Sequence, residues 1–311
     1  MEIKQLQTFS RVAEVGNLTR AAGLLGLTQA ALSRQMTQLE AELGVELFRR
    51  NGRGLVLTDA GLRLREHVPL VMRQLALAER AVRGESGPVR GTIALGLPPS
   101  LARTVVIPLI DAFKRQLPDV SLRTVDGLSA NLFELVGMGK LDCAVVYGQA
   151  NSDAAQLRPL AEEELYLVSG PAGTKSRVPP KSIALADLAA LPLVTAGNSN
   201  AVHSVLAAAL AQSGHKPQVA HQIENLNAIL DLVRQGYGYS VIPLSGVRPC
   251  VGDPELRLHR INKPTLTCSL SMAIPTGSVG DALVEQSASL VLDVVAKQIR
   301  QYQREVDDYI G

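Results

Sequence analysis

The chain has no tryptophan, and aromatic residues make up only 3% of its 311 positions. Its core must therefore be aliphatic, and a 46% hydrophobic content is enough for one without disulfide or metal staples. Cysteine is scarce too. Cys143, Cys250 and Cys268 form no CxxC pair, and an odd number of thiols reads as buried apolar groups. A redox switch would need a partly exposed thiol with a reachable partner, and Cys250, in a loop after Arg248-Pro249, is the one candidate. The five histidines lack metal-ligand spacing. His203 and His221 fall on predicted helix and strand faces and read as structural or surface groups. There is no phosphate loop, no GxSxG, and no Ser-His-Asp or paired-carboxylate constellation, so neither an enzyme nor a cofactor is expected. The run Glu162–Glu164 reads as a solvated strand entrance. No stretch of about 20 apolar residues exists to span a membrane. The opening MEIKQLQTFSRVAEVG lacks a signal-type apolar core, which predicts a cytoplasmic protein.

Charge is nearly balanced overall but unevenly placed. Residues 1–90 carry 13 Lys and Arg against 9 Asp and Glu, whereas residues 91–311 carry 18 against 20. The positive end coincides with a distinctive pattern. Leu18, Ala21, Ala22 and Leu25 recur at helical spacing, and Gly26 breaks the run. Thr28 can cap a second helix, whose inward stripe is Leu32, Met36, Leu39 and Leu43, and Gly44 ends it. Two helices joined by so short a turn predict a helix-turn-helix. The outer face of the second helix begins with Gln29, Ser33, Arg34 and Gln38. In such motifs these positions reach base edges in the major groove, where Gln suits adenine and Arg suits guanine. Simple solvation of an exposed polar face is the competing reading. Next, Val45 to Phe48 and Leu55 to Leu57 predict a strand pair with Arg49 to Gly54 as its turn. Arg49, Arg50 and Arg53 at the tip would form a basic wing suited to phosphates or the minor groove.

These residues resemble the N-terminal domain of LysR-type transcriptional regulators. The matching pieces are Leu6, Phe9, Ala21–Ala22, Thr28–Gln29, Leu32–Ser33–Arg34–Gln35, Leu39–Glu40, Leu43–Gly44, Leu47–Phe48 with Arg50, and Leu57–Thr58 with Ala60–Gly61. Two positions depart from the family pattern. Thr28 replaces the usual Ser but keeps a capping hydroxyl, and Ala30 stands where Pro or Ser is common. The resemblance implies that Gln29, Ser33 and Arg34 read bases and that Thr28 caps the recognition helix. Arg50 and Arg53 would hold the backbone, and Arg20 would add a phosphate contact.

Residues 59–86 carry Leu64, Val68, Val71, Leu75, Ala78 and Val82 in steps of four and three, a heptad seam suited to pairing two helices. Pro69 should kink that helix. The competing reading lays the helix on its own domain. The segment resembles the linker helix through which LysR-type proteins dimerise. Gly84, Ser86, Gly87, Pro88 and Gly91 then predict a hinge.

From Thr92 onward, strands and helices alternate, which predicts a parallel sheet with helices on its faces. Strands are predicted at Thr92–Leu97, Ser121–Val125, Leu141–Tyr147, Leu193–Thr195, Gln218–Ile223, Ser240–Ile242 and Thr267–Ile274, with a crossing near Leu165–Ser169. A last helix is predicted from Gly280 to Tyr309. Two α/β halves joined by two crossing strands make a bilobed, periplasmic-binding-protein-like domain, which the resemblance to LysR effector domains also implies. The expected organisation is a winged helix-turn-helix over 1–60, a linker and dimerisation helix over 61–90, and an effector-binding domain over 91–311. Lobe I would take about 91–163 and 268–300, and lobe II about 164–267.

Ligands in such folds sit beyond the strand C-termini, in the cleft. Four strand ends feed helices that begin with small polar residues, and helix N-termini favour anions. Ser100, Ser129, Asn198, Asn200 and Asn225 are therefore candidate effector contacts, and Tyr147 would supply a wall or a hydroxyl. Plain N-capping explains each residue equally well on its own. LGLPPS, GKLDCAVVYG and EEELYLVSGPAG resemble the branch of the family that includes the nitrogen assimilation control protein, some of whose members are thought to act without a coinducer. GYGYSVIP resembles the glycine-rich turn and strand of the second lobe across the family.

The chain thus reads as a LysR-type regulator. Its expected partners are double-stranded promoter DNA, itself as a homodimer through 61–86 and then a homotetramer, a small anionic effector, and RNA polymerase. The alternatives are a regulator without a coinducer, or a bilobed small-molecule-binding protein with an incidental N-terminal domain.

Overall fold

Glu2 starts the first helix through a capping box, its N–H donating to Gln5 Oε1 at 2.6 Å. Helix α1 (Ile3–Val15) turns at Gly16, helix α2 (Leu18–Leu25) at Gly26, and helix α3 (Gln29–Leu43) at Gly44. All three glycines have φ near +65°, the left-handed conformation that a helix stop requires. The computed structural model describes every residue except 52–53, 84–87, 149–151, 172–177, 198–199 and 279. The chain forms two compact units, the first built on 1–87 and the second on 88–137 and 141–311.

In the first unit, Leu6, Phe9 and Val12 of α1 bury against Ala21, Ala22, Leu32, Met36 and Leu39. Leu43 was expected on that inward stripe but is exposed, because it lies in the last turn of α3, just before the chain reverses at Gly44. The wing also sits differently. Strand β1 is Phe48–Asn51 and strand β2 is Gly54–Leu57, paired antiparallel with Phe48 opposite Leu57. Arg49 and Arg50 are thus strand residues rather than turn residues. Two contacts set the register. Glu40 Oε1 on α3 accepts the N–H groups of Leu47 at 2.7 Å and Phe48 at 3.1 Å, and the Phe9 and Phe48 rings lie 5.3 Å apart. Helix α4 (Asp59–Arg83) runs on unbroken with Pro69 inside it.

The second unit begins with β3 (Gly91–Leu97), α5 (Pro99–Gln116), β4 (Val120–Asp126), α6 (Ser129–Gly137) and β5 (Cys143–Tyr147). Strand β3 runs parallel to both β4 and β5. Strand β6 (Ala155–Ser169) is far longer than the predicted crossing at Leu165–Ser169. The second lobe follows with β7 (Ser182–Ala184), β8 (Pro192–Thr195), α7 (Ala201–Gln212), β9 (Gln218–Gln222) and α8 (Leu226–Arg234). It continues through β10 (Ser240–Pro243), α9 (Leu244–Val247), a 3-10 turn at Arg248–Cys250 and β11 (Arg257–Asn262). Strand β12 (Thr267–Pro275) and helix α10 (Ala282–Ile310) then return to the first lobe's sheet and core.

The sheet is mixed rather than parallel. Its order is β4-β3-β5-β12-β6-β11-β7, with β10 also on β6. Strand β12 is antiparallel to β5 and β6, and β10 and β11 are antiparallel to β6. Residues Ala155 to Glu164 of β6 face β12, whereas Leu165 to Ser169 face β10 and β11. One strand therefore belongs to both lobes. Cys143, Cys250 and Cys268 are all buried. Cys250 lies in the 3-10 turn rather than in an open loop, and burial pushes its thiol up to about 11, so it is not the partly exposed thiolate that a redox switch needs.

Gly61 marks a close approach. A Cβ there would lie 2.1 Å from the Leu47 carbonyl oxygen and 2.8 Å from Leu57 Cδ2. Gly61→Ala should cost about 3 kcal/mol by forcing α4 off the wing. Urea unfolding of the first unit in the full-length protein measures this, and an unchanged midpoint would remove the packing argument.

Candidate functional site

Thr28 Oγ1 accepts the Ala31 N–H at 3.2 Å, so the first turn of α3 is capped from outside the helix. Asn17 Oδ1 does the same for Arg20 N–H at 3.0 Å at the start of α2. The cap leaves Gln29 and Arg34 exposed on one face of α3, with Ser33 half-buried between them, and Arg20 exposed on α2. Thr8 Oγ1 donates to Gln35 Oε1 at 3.1 Å and ties α3 to α1. The anchor from Glu40 fixes β1 against the other end of α3. Arg50 falls on β1, and Arg53 lies outside the described residues. Glu40 was legible only as a family match, not as the group that holds the wing.

The second site is a cleft in the C-terminal unit. Its walls are largely apolar, built from Pro98, Pro99, Leu193, Val194, Leu206, Leu226, Ile229, Val241, Ile242 and Pro243. Polar groups converge on it from the starts of α5, α6 and α7 (Ser100, Ser129, Asn200 and His203), from the ends of β5 and β8 (Tyr147 and Thr195), and from the start of β10 (Ser240). The structure thus brings Ser100, Ser129, Tyr147 and Asn200 together. Asn198 lies outside the described residues. Asn225 caps α8 by accepting Ala228 N–H at 3.1 Å and lines a separate groove with Arg103 and Asp126. Thr195 and Ser240 are not singled out by the sequence, and His203, which the sequence assigns to a structural or surface role, also lines the cleft. No Lys or Arg is among the described lining residues, and Glu224 is the single carboxylate there.

Most of these polar groups already have partners. Ser129 Oγ accepts the Tyr147 N–H at 2.9 Å. Asn200 Oδ1 accepts the N–H groups of Val202 at 3.0 Å and His203 at 3.2 Å, and His203 Nδ1 meets Thr195 Oγ1 at 3.2 Å. Burial holds the His203 imidazole below its ordinary pKa, which favours the neutral ring at pH 7.

Behind the cleft lies a cluster that the sequence did not reveal. Glu163 was read as part of a solvated entrance, yet its side chain is fully buried at 0% exposure. Successive strand residues face opposite sides, so Glu162 and Glu164 stay near solvent while Glu163 turns inward. Glu163 Oε2 accepts from Tyr147 Oη at 2.9 Å, Ser245 Oγ at 3.0 Å and Ser245 N at 3.4 Å. Tyr147 Oη also lies 3.2 Å from Ser100 Oγ and 2.9 Å from Ser245 Oγ. Glu163 Oε1 has no hydrogen-bond partner among the described residues. Burial pushes the carboxyl up from an ordinary 4.5 to about 7, against the weaker pull of the Tyr147 and Ser245 hydrogen bonds.

A capped recognition-type helix with a wing, joined in one chain to a bilobed domain with a small cleft, is the architecture of a DNA-binding regulator with a ligand-binding type of second domain. Comparison with known proteins agrees. Residues 3–62 match the model of the bacterial regulatory helix-turn-helix protein, lysR family, and residues 86–296 match the LysR substrate binding domain. The chain is 30% identical over 273 residues to the nitrogen assimilation regulatory protein nac of Klebsiella aerogenes, covering 88% of each chain. It is 32% identical over 260 residues to the regulator DgdR of Burkholderia cepacia, covering 82% of this chain and 84% of that one. In fold it is similar to a full-length OxyR variant from Pseudomonas aeruginosa, with a TM-score of 0.71 at 19% identity over 96% of this chain and 95% of that one. It is likewise similar to full-length CbnR complexed with its target DNA, with a TM-score of 0.55 at 23% identity over 95% of this chain and 100% of that one. This chain belongs to the LysR family. It is a transcriptional regulator with a helix-turn-helix DNA-binding domain and an effector-binding domain.

Burial of Glu163 has a measurable consequence. A carboxyl raised in the folded state leaves stability complete below its unfolded value near 4.5 and removes it as pH rises through about 7. Glu163→Gln should therefore exceed the parent by roughly 3 kcal/mol at pH 8 and by less than about 1 kcal/mol at pH 5. Denaturant unfolding at the two values tests this, and equal differences at both would contradict it.

Proposed function

We propose that the protein reads its promoter with Gln29, Ser33 and Arg34 in the major groove, while Thr28 caps the helix and Arg20, Arg50 and Arg53 hold phosphates. The observation that carries this reading is the first two turns of α3. They are capped by Thr28 and expose Gln29 and Arg34, on a helix tied at its middle to α1 through Thr8 and Gln35 and near its end to the wing through Glu40. Bidentate Gln and Arg side chains distinguish adenine and guanine in that groove. DNA binding would fall to residues 1–60, pairing and the hinge to 61–90, and effector binding to 91–311. No helix among the described residues is long and apolar enough to cross a membrane. We place the protein in the cytoplasm, where its DNA is, and assign it no catalysis.

The linker seam supports a homodimer. Val68 packs into the first unit's own core, but Val71 is 42% and Val82 is 88% exposed. Apolar positions left open at heptad spacing are suited to a second copy of α4. Effector domains pairing in turn would give the homotetramer, which RNA polymerase would meet at the promoter.

The cleft would bind a small effector with an apolar body and one polar head. Its apolar walls suit the body, and Ser100, Thr195 and Asn200 suit the head. An anionic head would rely on the starts of α5, α6 and α7 rather than on a cationic side chain. Closure of the lobes on the effector would change the spacing of the DNA-binding pairs. It can do so only by the effector's differential affinity for the two arrangements.

Arg34→Ala should weaken specific binding by about 1–3 kcal/mol, roughly 5- to 150-fold, while non-specific affinity changes far less. Gel shifts against specific and scrambled DNA at one salt concentration check this. An equal loss on both DNAs would make Arg34 a phosphate contact instead.

A further inference from the structure

The Glu163 cluster stands at the joint between the lobes. Tyr147 ends β5 and Ser100 starts α5, both in the first lobe, while Ser245 belongs to α9, which follows β10 of the second. Glu163 lies one residue before β6 runs out of its pairing with β12. Ser100 and Tyr147 both line the cleft, so the buried carboxyl reaches the cleft through hydroxyl groups in hydrogen-bond contact.

We propose that Glu163 is the specificity-determining group of the cleft: its proton sets the direction of the chain Glu163–Tyr147–Ser100 and so decides whether Ser100 offers the effector an acceptor or a donor. The proposal rests on the cleft being the effector site. When the carboxyl is ionised it can only accept, so Tyr147 and Ser245 donate to Oε2. The Tyr147 oxygen then accepts from Ser100, and Ser100 turns lone pairs toward the cleft. In that state the cleft suits an amine or another hydrogen-bond donor. When the carboxyl takes a proton from solvent it becomes a donor to Tyr147. Tyr147 then donates to Ser100, and the Ser100 hydroxyl is free to donate into the cleft. In that state the cleft suits a carboxylate or another oxyanion. A carboxylate ligand is therefore bound together with one proton, which is how a cleft with no described Lys or Arg takes an anion.

The surroundings favour such a switch. Oε1 has no hydrogen-bond partner among the described residues, so ionisation puts buried negative charge on an oxygen with no donor to offset it. Cys268 on β12 stands opposite Glu163 in the ladder, and its thiol is raised to about 11, first by burial and then by Glu163. Tyr302 on α10 is raised too, mainly by burial, with Glu163 the smallest contributor. Glu162 is occupied by Thr267 and Ser269, and Glu164 by Tyr166. Beyond α9, Arg248 is spent on Glu305 at 2.9 Å and lies over the Tyr302 ring. The groups acting on the Glu163 proton are burial, Tyr147 and Ser245, none of them a cation, and together they hold it near 7, where cellular pH can move it.

The test uses full-length protein and two probe series, the straight-chain monocarboxylates acetate to hexanoate and the primary amines of the same lengths. Calorimetry in buffers of different ionisation heat counts protons. A bound carboxylate should take up about one proton, and its affinity should fall about tenfold per pH unit above 7. An amine should show the opposite trend below 7. Glu163→Gln should abolish both trends. Tyr147→Phe keeps the carboxyl but cuts the chain, so infrared spectra should still show the buried acid titrating while the ligand linkage is lost. Carboxylate binding with no proton exchange, or linkage that survives Tyr147→Phe, would overturn the proposal and leave the cleft reading standing. Failure of every probe to bind at any pH would overturn the cleft reading, and this proposal with it.

Discussion

Among the described residues, sheet hydrogen bonding passes from one lobe to the other through a single strand, β6, and the rest of the C-terminal unit depends on that continuity. Nine of its first ten residues pair with β12, Leu160 falling at a bulge, and its last five pair with β10 and β11. A shared strand allows the lobes to rotate about it without separating. It also places whatever side chain sits at the change of partner between both lobes and directly behind the cleft. That side chain is Glu163, a carboxyl buried without a cation. An isolated buried charge is among the most costly features a fold can hold. Tyr147 and Ser245 reduce the cost by hydrogen bonding to the carboxyl, and Tyr147 with its neighbour Ser100 connects the group to the cleft.

The N-terminal unit answers a different constraint. A helix that reads DNA must be rigid yet expose its first turns. The Ala31 N–H at its start is satisfied by Thr28, and its far end is held through Glu40 to the wing. Neither contact uses the face that carries Gln29 and Arg34. The same logic appears at Gly61, where a glycine is required because the helix after the wing passes within contact of the Leu47 carbonyl.

Much of this was legible because it is local. Caps, glycine stops and helical periodicity lie within a few residues of one another, so α2, the turn and α3 could be read directly, and so could the α/β alternation after Thr92. What was not legible depends on distant partners. The wing strand begins at Phe48 because Glu40 and Phe9 hold it there, which no local pattern records. Strand β7 is only three residues long, and β11, Arg-Leu-His-Arg-Ile-Asn, does not alternate apolar and polar residues regularly enough for a period of two to stand out. In the cleft, Ser100, Ser129 and Asn200 follow from their places as helix starters, yet Asn225, chosen on the same grounds, lines a separate groove although the helix it caps sends Leu226 and Ile229 to the cleft. Glu163 was hidden by its acidic neighbours. The two-residue period of a strand was the available signal, since it sends the middle carboxylate to the opposite face from the other two.

The measurement that tests the account most directly is a footprint of the full-length protein on the DNA upstream of its own gene, run with and without a panel of small carboxylates, amines and amino acids. The account predicts specific protection over paired half-sites, and a change in its extent or intensity with one compound that fits the cleft. Specific protection indifferent to every compound would detach the cleft from regulation and favour action without a coinducer. The absence of specific protection even at low salt would contradict the assignment of Gln29, Ser33 and Arg34 as the reading surface.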